Sequence, residues 1–155
     1  MNESAGVRTP IRAIIADDHP VVLLAIENLL SGFLNMQVVG RASDAGELFA
    51  EAGRVECDLA VIDLYMPGEG DGFATLRKFR KRHPDLALVV LTMETDPDVL
   101  KKVLSLGADA VISKSDRVDL IHVAAVSALV HERYVGPAVR TSIAEAAGAQ
   151  RKMVN

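Results

Sequence analysis

Short apolar segments alternate five times along the chain with stretches in which hydrophobic residues recur every three or four positions. The apolar segments are rich in Val, Ile and Ala and predict buried strands, whereas the longer spacing predicts covering helices. The predicted strands are residues 11–16, 37–42, 59–63, 86–92 and 109–113. Strands that alternate with helices pair in parallel through right-handed crossovers, so we predict an α/β fold with a doubly wound, five-stranded parallel sheet.

Proline, glycine and capping residues mark the predicted helices. Pro20 suits the first turn of a helix after the first strand, and Asp44 is placed to cap the helix after the second. The remaining helices are predicted after a Pro and Gly loop at residues 66–72, from Asp96-Pro97 to near Leu106-Gly107, and from Asp116 to about Arg133.

The pattern divides the chain into three parts. Residues 1–9 are polar and predict an N-terminal tail, and residues 10–133 contain all five strand and helix pairs of one domain. Gly136-Pro137 interrupts the pattern, so residues 134–155 are predicted to form a linker or a short C-terminal helix. We expect no DNA-binding helix-turn-helix in this chain, because so few residues follow the last helix.

Composition agrees with one domain of this class. The 155 residues are 50% hydrophobic but 4% aromatic, as expected for an aliphatic core under helices. The net charge of −4 disfavours direct nucleic-acid binding. The single Cys57 cannot form an internal disulfide, no export signal is visible, and no apolar segment approaches the about 20 residues that span a bilayer. We therefore expect a soluble, cytoplasmic protein without a membrane partner.

Polar residues follow four of the predicted strands. They are Asp17 and Asp18 after the first, Asp63 at the end of the third, Thr92 at the end of the fourth and Lys114 after the fifth. Functional sites of parallel sheets lie beyond the carboxyl ends of the strands, so these side chains are expected to converge. Two unit charges about 4 Å apart repel by roughly 4 kcal/mol at an effective dielectric near 20, so converging carboxylates require a cation. We predict Mg²⁺ held by carboxylate oxygens, with Lys114 opposite.

These residue types suit phosphoryl transfer. The loose transition state is stabilised by positioning and by charges near the transferred oxygens, so an Asp nucleophile, a metal ion and a Lys suffice. Asp63 needs no general base because its carboxyl group is already ionised. The site is therefore predicted to accept a phosphoryl group on Asp63.

Four segments carry a resemblance to a known family: IIADDHPVV, VIDLYMPGEGDG, VVLTM and AVISKS. Over about residues 11–133 they are similar to the receiver domains of two-component response regulators. The resemblance implies a flavodoxin-like (βα)5 fold with the strand order 2-1-3-4-5. It also implies a phosphorylation switch that catalyses its own phosphoryl acceptance and is not a turnover enzyme.

The resemblance implies a role for each residue at the strand ends. Asp63 would be the phosphoacceptor, and Thr92 and Lys114 would bind the oxygens of the phosphoryl group. The implied ligands of Mg²⁺ are Asp18 and Asp63 directly, Asp17 through water, and the backbone carbonyl of Tyr65.

The segments DDHP, LTM, Lys114-Ser115 and RYVGPAV resemble the NarL/LuxR-type subfamily, with its RcsB-like branch nearest. This implies phosphorylation by a sensor histidine kinase or a phosphotransfer protein. The surface of helix 4, strand 5 and helix 5 would then change, and a homodimer would form through it. Transcription would be regulated through an effector domain absent from this chain, and DNA would be bound by that domain alone.

Two features depart from the family pattern. The spacing from Asp63 to Gly72 is one residue longer than is common, which leaves the shape of this loop open. Val111 stands three residues before Lys114, where many receivers carry Tyr or Phe. An aromatic flip is therefore not expected here, although phosphoryl acceptance does not depend on it.

Each residue taken alone has a plainer interpretation. Asp17 or Asp18 could cap the helix that follows. Lys114 could be a solvated lysine and Thr92 an ordinary strand residue, so the site rests on their joint placement. His19 fits a structural loop role better than a metal-binding one, because Mg²⁺ prefers oxygen.

Two helix faces are also open to interpretation. The basic run RKFRKRH, residues 77–83, is predicted to be the solvated face of an amphipathic helix and not a nucleic-acid site. The last helix is apolar on most sides, so we hypothesise that its outer face packs on a partner subunit or an effector domain. A mostly Ala surface is the alternative.

Two other functions remain open. A phosphatase of the haloacid-dehalogenase kind also uses a strand-end Asp and Mg²⁺, but it usually needs a second Asp where this chain has Tyr65. A receiver or flavodoxin-like domain that acts by protein contact without phosphate is the second alternative. The intact five-residue site argues against it.

Overall fold

The computed structural model describes residues 10–32, 35–68 and 71–154. They form one parallel sheet with helices on both faces, which is the α/β class that the alternating pattern predicts. The strands are β1 (Ile11–Ala16), β2 (Met36–Ala42), β3 (Leu59–Asp63), β4 (Ala87–Thr92), β5 (Ala110–Ser113) and β6 (Tyr134–Val135). The predicted N-terminal tail, residues 1–9, lies outside the described residues.

The sheet has six strands in the order β2-β1-β3-β4-β5-β6. The predicted order is right for the first five strands, but the prediction of a five-stranded sheet is wrong. β6 pairs in parallel with β5, since the Tyr134 amide donates to the Asp109 carbonyl at 3.0 Å and the Gly136 amide to the Val111 carbonyl at 2.9 Å. A strand of two residues is too short to show alternation, so periodicity could not reveal it.

Six helices surround the sheet: α1 (Pro20–Ser31), α2 (Ala45–Arg54), α3 (Gly72–Arg82), α4 (Pro97–Ser105), α5 (Leu120–Leu129) and α6 (Pro137–Val154). Asp44 caps α2 by accepting the Glu47 amide at 2.8 Å, and Asp96 precedes Pro97 at the start of α4. Gly107, with a φ of 108°, lies just beyond the end of α4, as expected. In the described part of the chain, no helix has the length and apolar character needed to cross a membrane.

α5 is shorter than the sequence pattern indicated. The predicted span was residues 116–133, but turns occupy its beginning and the helix itself is Leu120–Leu129. Asp116 does not enter the helix because its carboxylate accepts backbone amides of Ser113 and Ala138. His131 has a φ of 54°, a left-handed conformation that cannot continue a right-handed helix.

The segment after α5 packs on the domain. We predicted a linker or a short helix over residues 134–155, and its described part forms β6 and the 18-residue helix α6. α6 contacts α4 and β5, and Val139 is only 1% exposed. This segment therefore adds both an edge strand and a helix to the sheet.

Each face of the sheet has its own apolar core. One core holds side chains of α2, α3, α4 and α6, including Leu48, Phe79, Leu100 and Val139. The other core lies under α1 and α5 and includes Ile26, Leu30, Ile121 and Ala124. Full burial of one such large side chain contributes about 1.5–3 kcal/mol, so the two cores hold the strand ends in a fixed arrangement.

Candidate functional site

The polar residues predicted to converge do meet at the carboxyl ends of the strands. Lys114 Nζ lies 2.7 Å from Asp17 Oδ2 and 3.1 Å from Asp63 Oδ2. Ligand atoms of Asp17, Asp18, His19 and Asp63 all lie within 4.8 Å of one another. Three carboxylates and one ammonium group thus share one cleft.

The cleft is buried on one side and open on the other. Asp17 is fully buried and Asp63 is 5% exposed, because each directly continues an apolar strand packed on both faces. The side chains of Lys114 and Asp18 are 15% and 32% exposed. The partly exposed Lys114 and Asp18 therefore mark the side of the cleft that faces solvent.

Thr92 closes the cleft beside β5. It is fully buried at the end of β4, and its carbonyl accepts the Lys114 amide at 2.8 Å. Its hydroxyl oxygen accepts the Glu94 amide at 2.9 Å, so it is engaged with the loop that leads to α4. Thr92 is thus fixed to both Lys114 and the β4–α4 loop.

The site holds its charges in opposition. Burial raises the pKa of Asp63, and the charge of Asp17 raises it further, while Lys114 acts in the opposite direction. Burial would lower the pKa of Lys114, but its hydrogen bonds and charge interactions with Asp17 and Asp63 outweigh that effect and raise it. Lys114 therefore stays charged, and the carboxylates retain an excess of negative charge.

The donor set fits a hard divalent cation. Asp17 Oδ2 and Asp18 Oδ1 are buried oxygens that accept no well-aligned hydrogen bond within the described residues, although Lys114 and His19 approach them as ion-pair partners. The Tyr65 amide donates to Asp63 Oδ1 at 3.3 Å, so the backbone of Tyr65, whose carbonyl is predicted to bind Mg²⁺, lies beside Asp63. Carboxylate oxygens are the ligands that Mg²⁺ prefers, and the lack of well-aligned hydrogen bonds leaves these two suited to bind it.

His19 is closer to this cluster than the sequence suggested. Its Nδ1 lies 3.0 Å from Asp17 Oδ1 and 3.0 Å from Asp18 Oδ1, and its amide donates to Asp17 Oδ1 at 2.9 Å. His19 is also the residue that precedes α1, but its own side chain makes no capping hydrogen bond. Asp17 thus both fastens the start of α1 and faces the cleft.

Comparison with known proteins identifies the family. Residues 13–125 match the family model of the response regulator receiver domain. The chain belongs to this family. It resembles the transcriptional regulatory protein RcsB of Escherichia coli strain K12, with 39% identity over 107 residues that make up 67% of this chain and 49% of the relative. The chain thus spans about half the length of the curated relatives it matches.

Solved structures agree with this assignment. The isolated REC domain of RcsB from Salmonella enterica serovar Typhimurium, determined with the phosphomimetic BeF3−, aligns with a TM-score of 0.82 and 28% identity over 87% of this chain and 99% of that one. A structure described as two RcsB dimers bound to two parallel DNAs aligns with a TM-score of 0.78 and 32% identity, over 87% of this chain and 68% of that one.

A contact at the entrance of the cleft is not among those predicted from the sequence. The Tyr65 hydroxyl donates a short hydrogen bond to Glu94 Oε1, and that bond is the main reason why the pKa of Tyr65 is raised to about 12. Tyr65 follows Asp63 by two residues, and Glu94 follows Thr92 by two residues. This matched spacing was the available signal, because both residues had to lie in loops at the same edge of the sheet.

Val111, at the position where many receivers have an aromatic residue, is completely buried. It belongs to the same apolar core as Val139 of α6. The β5 carbonyl at this position also accepts the Gly136 amide of the chain entering α6. Position 111, where many receivers have an aromatic residue, is thus occupied here by a valine inside the apolar core.

Proposed function

We propose that Asp63 accepts a phosphoryl group from a sensor histidine kinase or a phosphotransfer protein, and that the adduct is the active state of the switch. The observation that supports this most directly is the position of Asp63. It is a buried strand-end carboxylate, next to two further carboxylates and 3.1 Å from Lys114 Nζ. An ionised, partly desolvated carboxylate facing an open cleft is suited to nucleophilic attack on phosphorus.

The chemistry needs few protein groups. An Asp63 carboxylate oxygen attacks the phosphorus atom, the bond from phosphorus to the donor imidazole nitrogen breaks, and its electron pair stays on that nitrogen. Lys114 binds the transferred oxygens, and the Thr92 hydroxyl donates to one of them while its oxygen still accepts the Glu94 amide. The groups that would hold Mg²⁺ are Asp17, Asp18, Asp63 and the Tyr65 backbone carbonyl. The ion would supply positive charge against the carboxylates and the transferred oxygens.

The adduct changes the electrostatics of the cleft. The phosphoryl group carries a charge of roughly −1.5 to −2 at neutral pH, in place of the single charge of the Asp63 carboxylate, together with strong acceptor oxygens. Lys114 and Thr92 are attracted to these oxygens. Because Lys114 directly follows β5 and Thr92 ends β4, their movement biases the surface formed by α4, β5 and α5 between two arrangements. The chain thus acts stoichiometrically and is not a turnover catalyst.

We extend the proposal to transcription through an effector domain. The RcsB relative is named a transcriptional regulatory protein, and one solved neighbour is described as dimers bound to DNA. With a net charge of −4, these 155 residues are poorly suited to contact DNA themselves. Val123 and Val126 of α5, and Val130 just beyond its end, are exposed and provide an apolar contact for a second copy. α6 covers part of α4 and β5, so this dimer contact is centred on α5.

The three candidate functions are separated by one experiment with three outcomes. The chain is mixed with Mg²⁺ and acetyl phosphate, and the bound phosphoryl group and released phosphate are both measured. A stoichiometric adduct on Asp63, absent in Asp63→Ala, is expected for the switch. Steady phosphate release in excess of protein would indicate a phosphatase, and no adduct would indicate a module that acts by contact alone. Asp85→Ala removes an exposed carboxylate before β4 and serves as the matched control.

A further inference from the structure

One carboxylate joins the loop that carries Lys114 to the beginning of α6. Asp116 Oδ2 accepts the Ser113 amide at 3.1 Å, and Asp116 Oδ1 accepts the Ala138 amide at 3.0 Å. Lys114 lies in the turn between Ser113 and Asp116, which is closed by a hydrogen bond from the Asp116 amide to the Ser113 carbonyl at 3.0 Å. A shift of this turn therefore changes the distance from Asp116 to α6.

The contact is tightly fitted. A Cβ atom on Gly136 would lie 2.5 Å from Asp116 Oδ2 and 3.4 Å from the Ile112 Cα atom. The chain can approach the carboxylate this closely because Gly136 has no side chain. The two acceptor oxygens of Asp116 are thus matched to one arrangement of the turn and α6.

α6 lies on part of the surface through which the switch is proposed to act. It packs on α4 and β5, and its Val139 and Ile143 join the apolar core that contains Leu100 and Val103 of α4. Release of α6 would uncover this part of α4 and β5 and free the C-terminal end of the described chain. Docking and release of α6 could therefore transmit the state of the domain to a partner.

Lys114 connects this output to the cleft. Its Nζ binds Asp17 and Asp63, and its amide is held by the Thr92 carbonyl. A phosphoryl group on Asp63 moves the negative charge that Lys114 must bind outward from the carboxylate. We propose that Asp116 couples Lys114 to α6, so that phosphorylation of Asp63 weakens the docking of α6 on α4 and β5. This inference rests on the proposed function of Asp63.

The test is amide hydrogen exchange of the full 155-residue chain, with and without Mg²⁺ and beryllium fluoride as the phosphoryl analogue. In the wild-type chain, loading is expected to increase exchange of α6 amides about tenfold, the effect of losing roughly one hydrogen bond to a charged acceptor. In Asp116→Ala, the α6 amides are expected to exchange at this faster rate already without beryllium fluoride. Loading should then cause no further increase. Asp119→Ala removes an exposed carboxylate nearby that pairs with Arg117, and it should keep the wild-type difference.

A second variant tests the link without removing the carboxylate. Gly136→Ala forces the Asp116 side chain away from its position, so it should also give fast exchange before loading. In an Asp116→Ala background, Gly136→Ala should add almost nothing, because the group it displaces is gone. Additive effects of the two substitutions would contradict the coupling, and circular dichroism establishes that each variant is folded.

Loading is measured separately by ¹⁹F NMR of the bound beryllium fluoride. If the wild-type chain loads but α6 exchange stays unchanged, the coupling is overturned and the proposed function of Asp63 stands. The coupling is also overturned if Asp116→Ala retains the full wild-type difference. If the wild-type chain does not load at all, the proposed function itself fails.

Discussion

Lys114 and Asp63 are 51 residues apart in the sequence, yet a hydrogen bond of 3.1 Å joins Lys114 Nζ to Asp63 Oδ2. The parallel pairing of β3 with β4 and of β4 with β5 brings the two residues to one cleft. The same ammonium group lies 2.7 Å from Asp17 Oδ2, so one positive charge opposes two buried carboxylates. The stability of the domain and the proposed binding of Mg²⁺ therefore involve the same few atoms.

Loss of the ammonium group is expected to destabilise the domain. Lys114→Met should reduce the free energy of unfolding by about 2 kcal/mol in metal-free buffer, because Asp17 and Asp63 lose a charged hydrogen-bond donor. Urea denaturation measures the change, and added Mg²⁺ should recover part of it. Lys101→Met, on the exposed face of α4, is the matched control and should be nearly neutral. Equal effects of the two substitutions would refute this expectation.

Metal binding should stabilise the wild-type chain and fail in carboxylate variants. At a Mg²⁺ concentration about 100 times the dissociation constant, one bound ion adds about 2.7 kcal/mol to the free energy of unfolding. Asp18→Asn and Asp63→Asn should lose most of this gain, whereas Asp85→Asn should keep it. Thermal unfolding with Mg²⁺ and then with excess EDTA provides the measurement. A gain that survives both site substitutions would place the ion elsewhere.

The raised pKa of Asp63 predicts a pH dependence of stability in metal-free buffer. The folded state holds the Asp63 proton more tightly than the unfolded chain, whose ordinary value is 3.8. Stability relative to Asp63→Asn therefore falls as the pH rises from about 3.8 through the raised folded pKa, and is constant above it. Urea unfolding of both proteins from pH 3 to 8 measures the difference. Wild-type stability that instead rises with pH relative to Asp63→Asn over this range would contradict the sign, and saturating Mg²⁺ should abolish the penalty at high pH.

Tyr65 is expected to titrate unusually late. Its hydrogen bond to Glu94 raises the pKa of the phenol to about 12, so ultraviolet titration of the wild-type chain should show one tyrosine that ionises well above pH 10. Glu94→Gln should move this midpoint down toward 10, because the charged acceptor is lost. Tyr65→Phe identifies the signal by removing it. An unchanged late transition in Glu94→Gln would mean that another contact controls Tyr65.

Arg80 is expected to be the most sensitive residue of the basic run on α3. Its guanidinium donates to the Gly107 and Leu86 carbonyls, each at a shortest distance of 2.6 Å, and pairs with Asp109 at 3.1 Å. Arg80→Ala should cost about 2–3 kcal/mol of unfolding free energy, and Arg80→Lys should recover little, because Lys lacks the planar donor fork. Chemical denaturation compares both with Lys81→Ala, an exposed neighbour that should be neutral.

Only part of the behaviour of the basic run on α3 could be predicted from the sequence. Arg77, Lys81 and Arg82 are exposed, as the amphipathic pattern predicted for the whole run. Arg80 differs because its acceptors lie beyond the end of α4 and before β4, and their proximity depends on how helices pack on the sheet. Periodicity indicates which face of a helix is apolar, but it does not show which cation finds partners across a loop.

The convergence of the site could be predicted for a simple reason. Parallel strands place their carboxyl ends at one edge, so Asp63, Thr92 and Lys114 meet whatever the details of the helices. The tie from Asp116 to Ala138 and the pairing of Tyr65 with Glu94 could not be predicted in the same way. Each joins loops whose conformations depend on tertiary packing, and neither leaves a periodic pattern in the sequence.

β6 has a consequence for how molecules of this chain meet one another at high concentration. A bare edge strand offers free amides and carbonyls to which a strand of another molecule can add, the first step of many aggregates. Here β5 is shielded by a strand of just two residues, and Pro137, which has no amide hydrogen, lies two residues after that strand ends. A fragment ending at residue 133 would lack β6, so the apolar edge of β5 would be open to pairing with a strand of another molecule.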